Sequence, residues 1–138
     1  MPSYPAENVS EQTSATVISI VDDDECVRAA MEGLIRSLGY VSVTYASAED
    51  FLDSSHVNDT SCLITDIHMP GLTGVELHQR LLSNGSRIPT IFVTGLPDEM
   101  MRTQLLKAGA VGYLSKPFDE KSLINCLNAA LIRQARAA

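Results

Sequence analysis

Residues able to hold a metal ion and a phosphate group follow short apolar runs at four points in the sequence. They are the acidic cluster Asp22–Glu25, the carboxylate Asp66, the hydroxyl of Thr94 and the ammonium group of Lys116. Residues just beyond the carboxyl ends of strands in an open parallel sheet collect in one crevice, so we expect these groups to meet there. An acidic pocket with one lysine and one threonine is suited to holding a divalent cation and a phosphoryl group.

The crevice of such a sheet lies where the strand order reverses, which would place Asp22, Asp23 and Asp66 opposite one another. Carboxylates at close range repel, and a hard cation with oxygen ligands in octahedral geometry relieves that repulsion, which favours Mg²⁺. A carboxylate can also attack phosphorus to give an acyl phosphate when positive groups offset the charge on the phosphoryl oxygens. Lys116 would supply such a charge, and Thr94 would supply a hydroxyl donor.

The spacing of apolar residues and chain breakers predicts the elements that position these groups. The predicted strands are Thr16–Val21, Val41–Tyr45, Ser61–Thr65, Pro89–Val93 and Val111–Ser115. Helices are predicted from Val27 to Leu38, from Ser47, after Pro70–Gly71, from Pro97 to Ala108 and from near Asp119. This alternation indicates an α/β fold with a doubly wound five-stranded parallel sheet in the flavodoxin-like order 2-1-3-4-5. Residues 1–15 are polar and are predicted to form a flexible leader before one domain at residues 16–138.

Charge and composition exclude some classes of function. The chain has 138 residues and a formal net charge of −7, with 10 Lys and Arg against 17 Asp and Glu. Without a basic run it offers no face for nucleic acid or for an anionic membrane. Its apolar runs are far shorter than the ~20 residues of a membrane helix, and no signal peptide opens the sequence. Cys26, Cys62 and Cys126 are an odd number without CxxC spacing, so we expect a soluble protein of the reducing cytoplasm.

Four segments, taken in order, resemble the receiver domain of two-component response regulators. They are VDDDE from Val21, TDIHMPGLTGVEL from Thr65, VTG from Val93 and AGAVGYLSKPF from Ala108. The resemblance covers about Val17 to Leu131. Within that family, the sequence is most similar to the FixJ-type transcriptional regulators. Each segment alone is weak evidence for the family. All four together, in this order and at strand ends, are a specific signal.

The resemblance implies a role for each residue of the acidic pocket. Asp66 would be the phosphoacceptor. Asp23 would bind Mg²⁺ directly, Asp22 would bind it mainly through water, and the main-chain carbonyl of His68 would be a further ligand. The phosphoryl donor implied is a sensor histidine kinase, and the protein would not be an enzyme of ordinary turnover, although it would catalyse its own phosphorylation and slow dephosphorylation.

The resemblance also implies how the signal would leave the site. Thr94 and Lys116 would contact the phosphoryl group, Tyr113 would be an aromatic switch, and the Lys116–Pro117 bond would be cis, a form that is much commoner before proline than elsewhere. Apart from the resemblance, we predict phosphorylation-dependent self-association through the face formed by the fourth helix, fifth strand and fifth helix, because flexible methionines suit a surface that repacks between two states. The residues on or beside this face are Met100, Met101, Leu105 and Tyr113, although Met101 and Leu105 could instead belong to the core. Output would be control of transcription through an effector domain outside this sequence, or, for a stand-alone receiver, contact with a partner protein.

Other interpretations of the same residues remain open from sequence. Asp24 is better explained as a helix cap than as a ligand, Tyr113 could simply pack, and His56 and His78 are expected to be exposed. A haloacid-dehalogenase-like phosphatase also uses a nucleophilic aspartate and Mg²⁺, but it needs a second aspartate where His68 stands. A flavin or dinucleotide binder would need a glycine-rich or hydroxyl-rich phosphate loop after the first strand, and none follows it.

Overall fold

The computed structural model describes residues 16–137, so the predicted leader at residues 1–15 lies outside the described residues. Five strands alternate with five helices in this part of the chain. The strands are β1 (Val17–Val21), β2 (Val41–Tyr45), β3 (Cys62–Asp66), β4 (Thr90–Thr94) and β5 (Gly112–Ser115), and the helices are α1 (Glu25–Ser37), α2 (Ala48–Asp53), α3 (Gly74–Ser83), α4 (Glu99–Lys107) and α5 (Glu120–Ala137). The strands pair in parallel in the order β2-β1-β3-β4-β5, which confirms the predicted fold.

Helices cover both faces of the sheet, which is why its central strands are almost entirely buried. On one face, Ile64 and Val93 pack in a cluster with residues of α1 and α5. On the other face, Leu63 packs with residues of α2 and α3, and Phe92 packs with Leu105 of α4. Successive side chains of a strand point to opposite faces, so each strand contributes to both layers of the core.

Acidic caps set the positions at which two helices begin. Asp24 is the N-cap of α1, and Asp98 is the N-cap of α4, each accepting hydrogen bonds from backbone N–H groups of the first turn. Because a cap residue lies just outside the helix it caps, α1 begins at Glu25 rather than at Val27, and α4 begins at Glu99, later than predicted.

Two further predictions need correction. The strands β3 and β4 extend one residue beyond their predicted ends, so Asp66 and Thr94 are the last strand residues and keep their ladder partners. His56 is exposed as expected, but the prediction for His78 was wrong, since this side chain is only 5% exposed. The ring of His78 packs edge-on against Phe92, with centroids 5.4 Å apart, because α3 lies directly on the sheet at this position.

Candidate phosphoacceptor and metal site

Parallel pairing brings the predicted site residues to the carboxyl edge of the sheet. The last residue of β1 is in register with Thr65, so Asp22 and Asp66, which follow that pair, are neighbours. Thr94, the last residue of β4, is in register with the last residue of β5, which places Lys116 at the same edge. The reversal of strand order between β1 and β3 therefore opens the crevice where the sequence predicted it.

A cluster of carboxylates with one ammonium group forms the floor of this crevice. Carboxylate oxygens of Asp22, Asp23 and Asp66 all lie within 4.8 Å of one another. The Nζ atom of Lys116 lies 2.8 Å from Oδ2 of Asp22 and 3.4 Å from Oδ2 of Asp66. Asp22 is fully buried and Asp66 nearly so, whereas Asp23 is exposed, so solvent reaches the cluster on the side of Asp23.

Hydrogen bonds from the start of α1 hold Asp22 in place. Its Oδ1 atom accepts the backbone N–H of Asp24 at 2.9 Å, and its carbonyl oxygen accepts Nη1 of Arg28 at 2.7 Å. The side chain of Asp24 instead caps α1 and accepts the N–H of Cys26 at 2.8 Å. The prediction that Asp24 is a helix cap is therefore confirmed, while the role of Arg28 was not predicted.

Burial and like charge shift the proton equilibria of the cluster. Burial is the main reason that the pKa of Asp66 lies above its usual value, and the charge of Asp22 adds to that rise. Lys116 and the N–H of Ile67, 2.8 Å from Oδ1 of Asp66, oppose the shift without cancelling it. Burial by itself would lower the pKa of Lys116, but its bonds to Asp22 and Asp66 raise it overall. One charged lysine thus faces several carboxylates, and the site keeps an excess of negative charge.

Thr94 lies at this edge with a hydroxyl hydrogen available. The side chain is fully buried, and its Oγ1 atom accepts the N–H of Leu96 at 3.0 Å. The carbonyl oxygen of Thr94 accepts the N–H of Lys116 at 2.7 Å, which links the ends of β4 and β5. The peptide bond between Lys116 and Pro117 is cis, as the resemblance implied.

Two of the predicted residues lie outside the carboxylate cluster. The hydroxyl of Tyr113 accepts the N–H of Asp98 at 3.0 Å, so this half-buried ring connects β5 to the beginning of α4. Tyr113 packs against the core cluster that contains Phe92 and Leu105, as do Met101 and Leu106 of α4. The side chain of His68 is exposed, and among the described residues its ring nitrogens do not belong to the group of potential metal ligands, which leaves only its main chain as a candidate ligand.

Two positioning residues escaped sequence prediction. A Cβ atom on Gly74 would collide with the carbonyl oxygen of Asp66, so α3 can begin against the end of β3 only with glycine here. Glu49 on α2 accepts the N–H of Leu72 at 2.9 Å and so ties α2 to the loop after Asp66, and that hydrogen bond lowers the pKa of Glu49. The sequence did contain a signal for Gly74. The Thr-x-x-Glu capping box that begins at Thr73 marks Thr73 as the N-cap of α3 and so makes Gly74 the first residue of the helix.

The donor set fits a hard divalent cation. Carboxylate oxygens from three residues within one ion's reach, of which one is exposed, are the ligands that Mg²⁺ prefers, and they leave positions open for water and phosphate oxygens. A doubly wound sheet that carries such an acidic pocket beside a lysine and a threonine at its carboxyl edge defines a receiver domain. Receiver domains bind Mg²⁺ at an acidic pocket of this kind.

Comparison with known sequences agrees with this assignment. The family model of the response regulator receiver domain matches residues 18–128, and the chain belongs to that family. It is 38% identical over 130 residues to the response regulator protein TodT of Pseudomonas putida, covering 93% of this chain and 57% of TodT. It is 36% identical over 118 residues to the transcriptional regulatory protein FixJ of Azorhizobium caulinodans, covering 86% of this chain and 56% of FixJ. The chain thus spans a little more than half the length of these relatives.

Solved structures show the same relationship. The response regulator StyR superposes with a TM-score of 0.82 at 34% identity, covering 88% of this chain and 62% of that chain. The crystal structure of FixJ-N gives a TM-score of 0.75 at 34% identity, covering 85% of this chain and 94% of that chain. The predicted relationship to FixJ-type receivers is therefore confirmed. Within residues 16–137, none of the helices has the length and apolar character needed to cross a membrane.

Proposed function

We propose that this chain is the phosphoacceptor switch of a two-component pathway, with Asp66 as the acceptor of a phosphoryl group from a sensor histidine kinase. Asp22, Asp23, Asp66 and the main-chain carbonyl of His68 would hold Mg²⁺. The observation that carries the proposal is the convergence of the three carboxylates with Lys116, whose ammonium group lies within 3.4 Å of both buried aspartates.

The burial of each carboxylate supports the division of roles. Asp22 is fully buried, and its two oxygens are engaged by Lys116 and by the N–H of Asp24, so it is poorly placed to attack a substrate. Asp66 also has a neighbour at each oxygen, the N–H of Ile67 and Lys116, but its contact to Lys116 is longer, at 3.4 Å against 2.8 Å for Asp22. The side chain of Asp66 is 8% exposed, beside the solvent-exposed Asp23, whereas that of Asp22 is 0% exposed. Asp66 is therefore the buried carboxylate that a phosphodonor arriving from solvent could reach.

The transfer is a displacement at phosphorus. An oxygen of ionised Asp66 forms a bond to phosphorus as the bond from phosphorus to the donor nitrogen of a phosphohistidine breaks, and the electron pair leaves with the imidazole, which takes up a proton from solvent. Bound Mg²⁺ would offset the negative charge on the phosphoryl oxygens. Lys116 supplies a fixed positive charge next to the acceptor oxygen, and its long contact to Asp66 can shorten as that charge develops.

A route for the signal runs from Thr94 to α4. The Thr94 hydroxyl accepts a hydrogen bond from Leu96 and can donate to a phosphoryl oxygen, which would draw the loop between β4 and α4 toward the site. Asp98, in the same loop, is hydrogen-bonded to Tyr113. A shift of the loop would thus alter the face formed by α4, β5 and α5, where Met100 is 71% exposed.

We propose that this face carries the output of the domain in the cytoplasm. It would form a phosphorylation-dependent homodimer and control transcription through an effector domain outside this sequence. Control of transcription is the function that the name of the relative FixJ, a transcriptional regulatory protein, states for that protein. For a stand-alone receiver the same face would bind a partner protein. Sedimentation with and without beryllofluoride tests this, and dimers that form equally well in both conditions would contradict a phosphorylation-dependent contact.

The test of the acceptor is phosphorylation by acetyl phosphate with Mg²⁺, followed by mass spectrometry. We expect an adduct of one phosphoryl group that hydroxylamine removes, and none on Asp66→Asn, because an amide keeps the shape but not the nucleophilic oxygen. The exposed variant Asp59→Asn is the control and should be phosphorylated like wild type. A full-stoichiometry, hydroxylamine-sensitive adduct on Asp66→Asn would overturn the assignment.

The metal assignment has a matched pair of neighbouring variants. Asp23→Ala removes a carboxylate from the cluster and should weaken Mg²⁺ binding strongly, whereas Asp24→Ala removes only the cap of α1. The loss of a cap costs about 1 kcal/mol of stability and leaves the ligands in place. Equal weakening in a Mg²⁺ titration would contradict the assignment of Asp23.

A further inference from the structure

A cavity of about 320 Å³ lies at the edge of the sheet opposite the acidic pocket. Its walls come from α3, the loop before β4, the loop before β5 and α5, and its lining includes His78, Leu82, Arg87, Ile88, Pro89 and Arg133. Since β4 begins at Thr90 and ends at Thr94, the cavity adjoins the start of the strand, whereas the acidic pocket adjoins its end. The two sites share no lining residue.

A buried imidazole without a partner lies in the wall of this cavity. His78 is 5% exposed, and within the described residues its ring makes no hydrogen bond to protein. The His78 side chain lines the cavity. Burial lowers the pKa of His78, which keeps the ring neutral at pH 7 with one N–H donor. Buried polar groups in proteins nearly always have a partner, so water or a bound molecule in the cavity has to supply one to His78.

Two arginine residues that line the cavity add positive charge. Among the described residues, neither Arg87 nor Arg133 has a carboxylate within 4.0 Å, although the whole chain carries a net charge of −7. Nη1 of Arg133 donates to the carbonyl oxygen of Gly109 at 2.6 Å, which fixes that side chain, and its other N–H groups make no further hydrogen bond among the described residues. Planar guanidinium groups pair well with carboxylates, because two N–H donors can meet two oxygens.

The remaining lining decides between classes of anion. Leu82, Ile88 and Pro89 give the cavity apolar walls, which suit a hydrocarbon body rather than a bare inorganic ion. At about 30 Å³ for each water-sized group, the volume accommodates roughly ten non-hydrogen atoms. That volume is at the small end for ligand pockets and is too small for a helix of a partner protein.

We propose that this cavity binds a small organic carboxylate, with the carboxylate paired to Arg87 and Arg133 and the apolar body packed against Leu82 and Pro89. The imidazole of His78 donates a hydrogen bond to a ligand oxygen. The site is independent of the phosphoacceptor function, since none of its residues belongs to the acidic pocket.

The first test is titration of the wild-type protein with three probes, followed by amide NMR. Benzoate should give saturable shifts at the amides of Leu82 and Gly109. Benzamide has the same shape without the charge and should bind at least about tenfold more weakly, and phosphate, which lacks an apolar body, should also bind more weakly. No saturation by benzoate at about 10 mM, where a ligand with a millimolar dissociation constant would be mostly bound, overturns the proposal. Equal binding of benzamide or of phosphate does so as well.

The second test uses exposed arginines, whose replacement should not affect folding. Arg87→Gln and Arg133→Gln should each weaken benzoate binding about tenfold. Arg36→Gln is the matched control, because Arg36 pairs with Glu32 on the surface of α1 and should leave binding unchanged. Benzoate affinity that is the same in wild type, Arg87→Gln and Arg133→Gln would show that the probe binds elsewhere and would refute the site.

Discussion

The replacement of Asp66 by asparagine should change protein stability in opposite directions without and with Mg²⁺. In the metal-free protein, ionised Asp66 is nearly buried beside Asp22, and burial is the main cause of its raised pKa. Asparagine keeps an acceptor for the N–H of Ile67 and removes the charge. We therefore expect Asp66→Asn to raise the free energy of unfolding in EDTA.

The distances in the site set the size of the effect. With an effective dielectric constant of about 20, Asp22 within 4.8 Å opposes the ionisation of Asp66 by about 3.5 kcal/mol, and Lys116 at 3.4 Å favours it by about 5 kcal/mol. Asp23 adds a second repulsion, which its exposure to water weakens. These charge terms nearly cancel, so the desolvation of the carboxylate decides whether Asp66→Asn stabilises or destabilises the protein. We expect the substitution to raise the free energy of unfolding in EDTA by about 1–2 kcal/mol.

With Mg²⁺ bound, wild type should become more stable than Asp66→Asn, which reverses the order of stability expected in EDTA. At a concentration of 100 times its dissociation constant, a ligand that binds only the folded state stabilises it by about 2.7 kcal/mol. Wild type should gain this fully, whereas Asp66→Asn, with one charged ligand fewer, should gain much less. Urea unfolding of both proteins in EDTA and in Mg²⁺ measures the four free energies, with Asp59→Asn as an exposed control that should follow wild type.

The pH dependence in EDTA provides an internal check. Because the folded-state pKa of Asp66 is raised, the folded protein holds the proton more tightly, and wild type loses stability as the pH rises from about 4 through that folded-state pKa. Asp66→Asn lacks this loss, so its advantage should vanish at acid pH and be greatest near neutrality. A variant that is less stable than wild type in EDTA at pH 7, or whose advantage does not change with pH, would refute the argument.

The other predictions concern positions outside the charge cluster. Gly74→Ala should destabilise the protein by about 3 kcal/mol in urea unfolding, because the added Cβ atom would collide with the carbonyl oxygen of Asp66. Gly33→Ala, in the middle of α1 where no atom lies within 4 Å of the added Cβ, should instead stabilise the protein by about 0.5–1 kcal/mol. A small effect of Gly74→Ala would mean that α3 can move away from β3. Since burial lowers the pKa of His78, wild type should lose stability as the pH falls below about 6.5. His78→Leu should remove part of that loss, whereas the exposed control His56→Gln should not. An unchanged pH profile in His78→Leu would assign the acid loss to other groups.

The fold and the main site residues were predictable because they follow from the apolar strand runs and from one general rule of parallel-sheet topology. Short β-branched runs mark buried parallel strands, and residues that follow such strands must meet at one edge of the sheet. Asp22, Asp66 and Lys116 are far apart in sequence, but each stands directly at the end of a strand, so their convergence needs no knowledge of side-chain packing. The helix boundaries were less accurate because capping by Asp24 and Asp98 depends on the conformation of one residue.

The features that sequence did not predict all depend on contacts between elements that local patterns do not record. The burial of His78 follows from how closely α3 lies on β4, and the contact of Gly74 follows from where α3 begins relative to Asp66. The arginine-lined cavity joins Arg87, in the loop before β4, to Arg133 near the end of α5. Nothing in the spacing of these two residues indicates that they share a cavity.

The position of Lys116 offers a physical reason why one site could both hold a cation and respond to phosphorylation. In the unphosphorylated state its ammonium group is closer to Asp22, at 2.8 Å, than to Asp66, at 3.4 Å. The phosphoryl group on Asp66 would carry about two negative charges in place of the single charge of the carboxylate, and the balance of attraction would then favour the phosphoryl oxygens over Asp22. Because the N–H of Lys116 is bonded to the carbonyl of Thr94, a shift of the lysine would act on the same strand end as the hydroxyl of Thr94. Under the proposed function, both groups would therefore move the loop before α4, and the loss of either one should reduce the response without removing the acceptor.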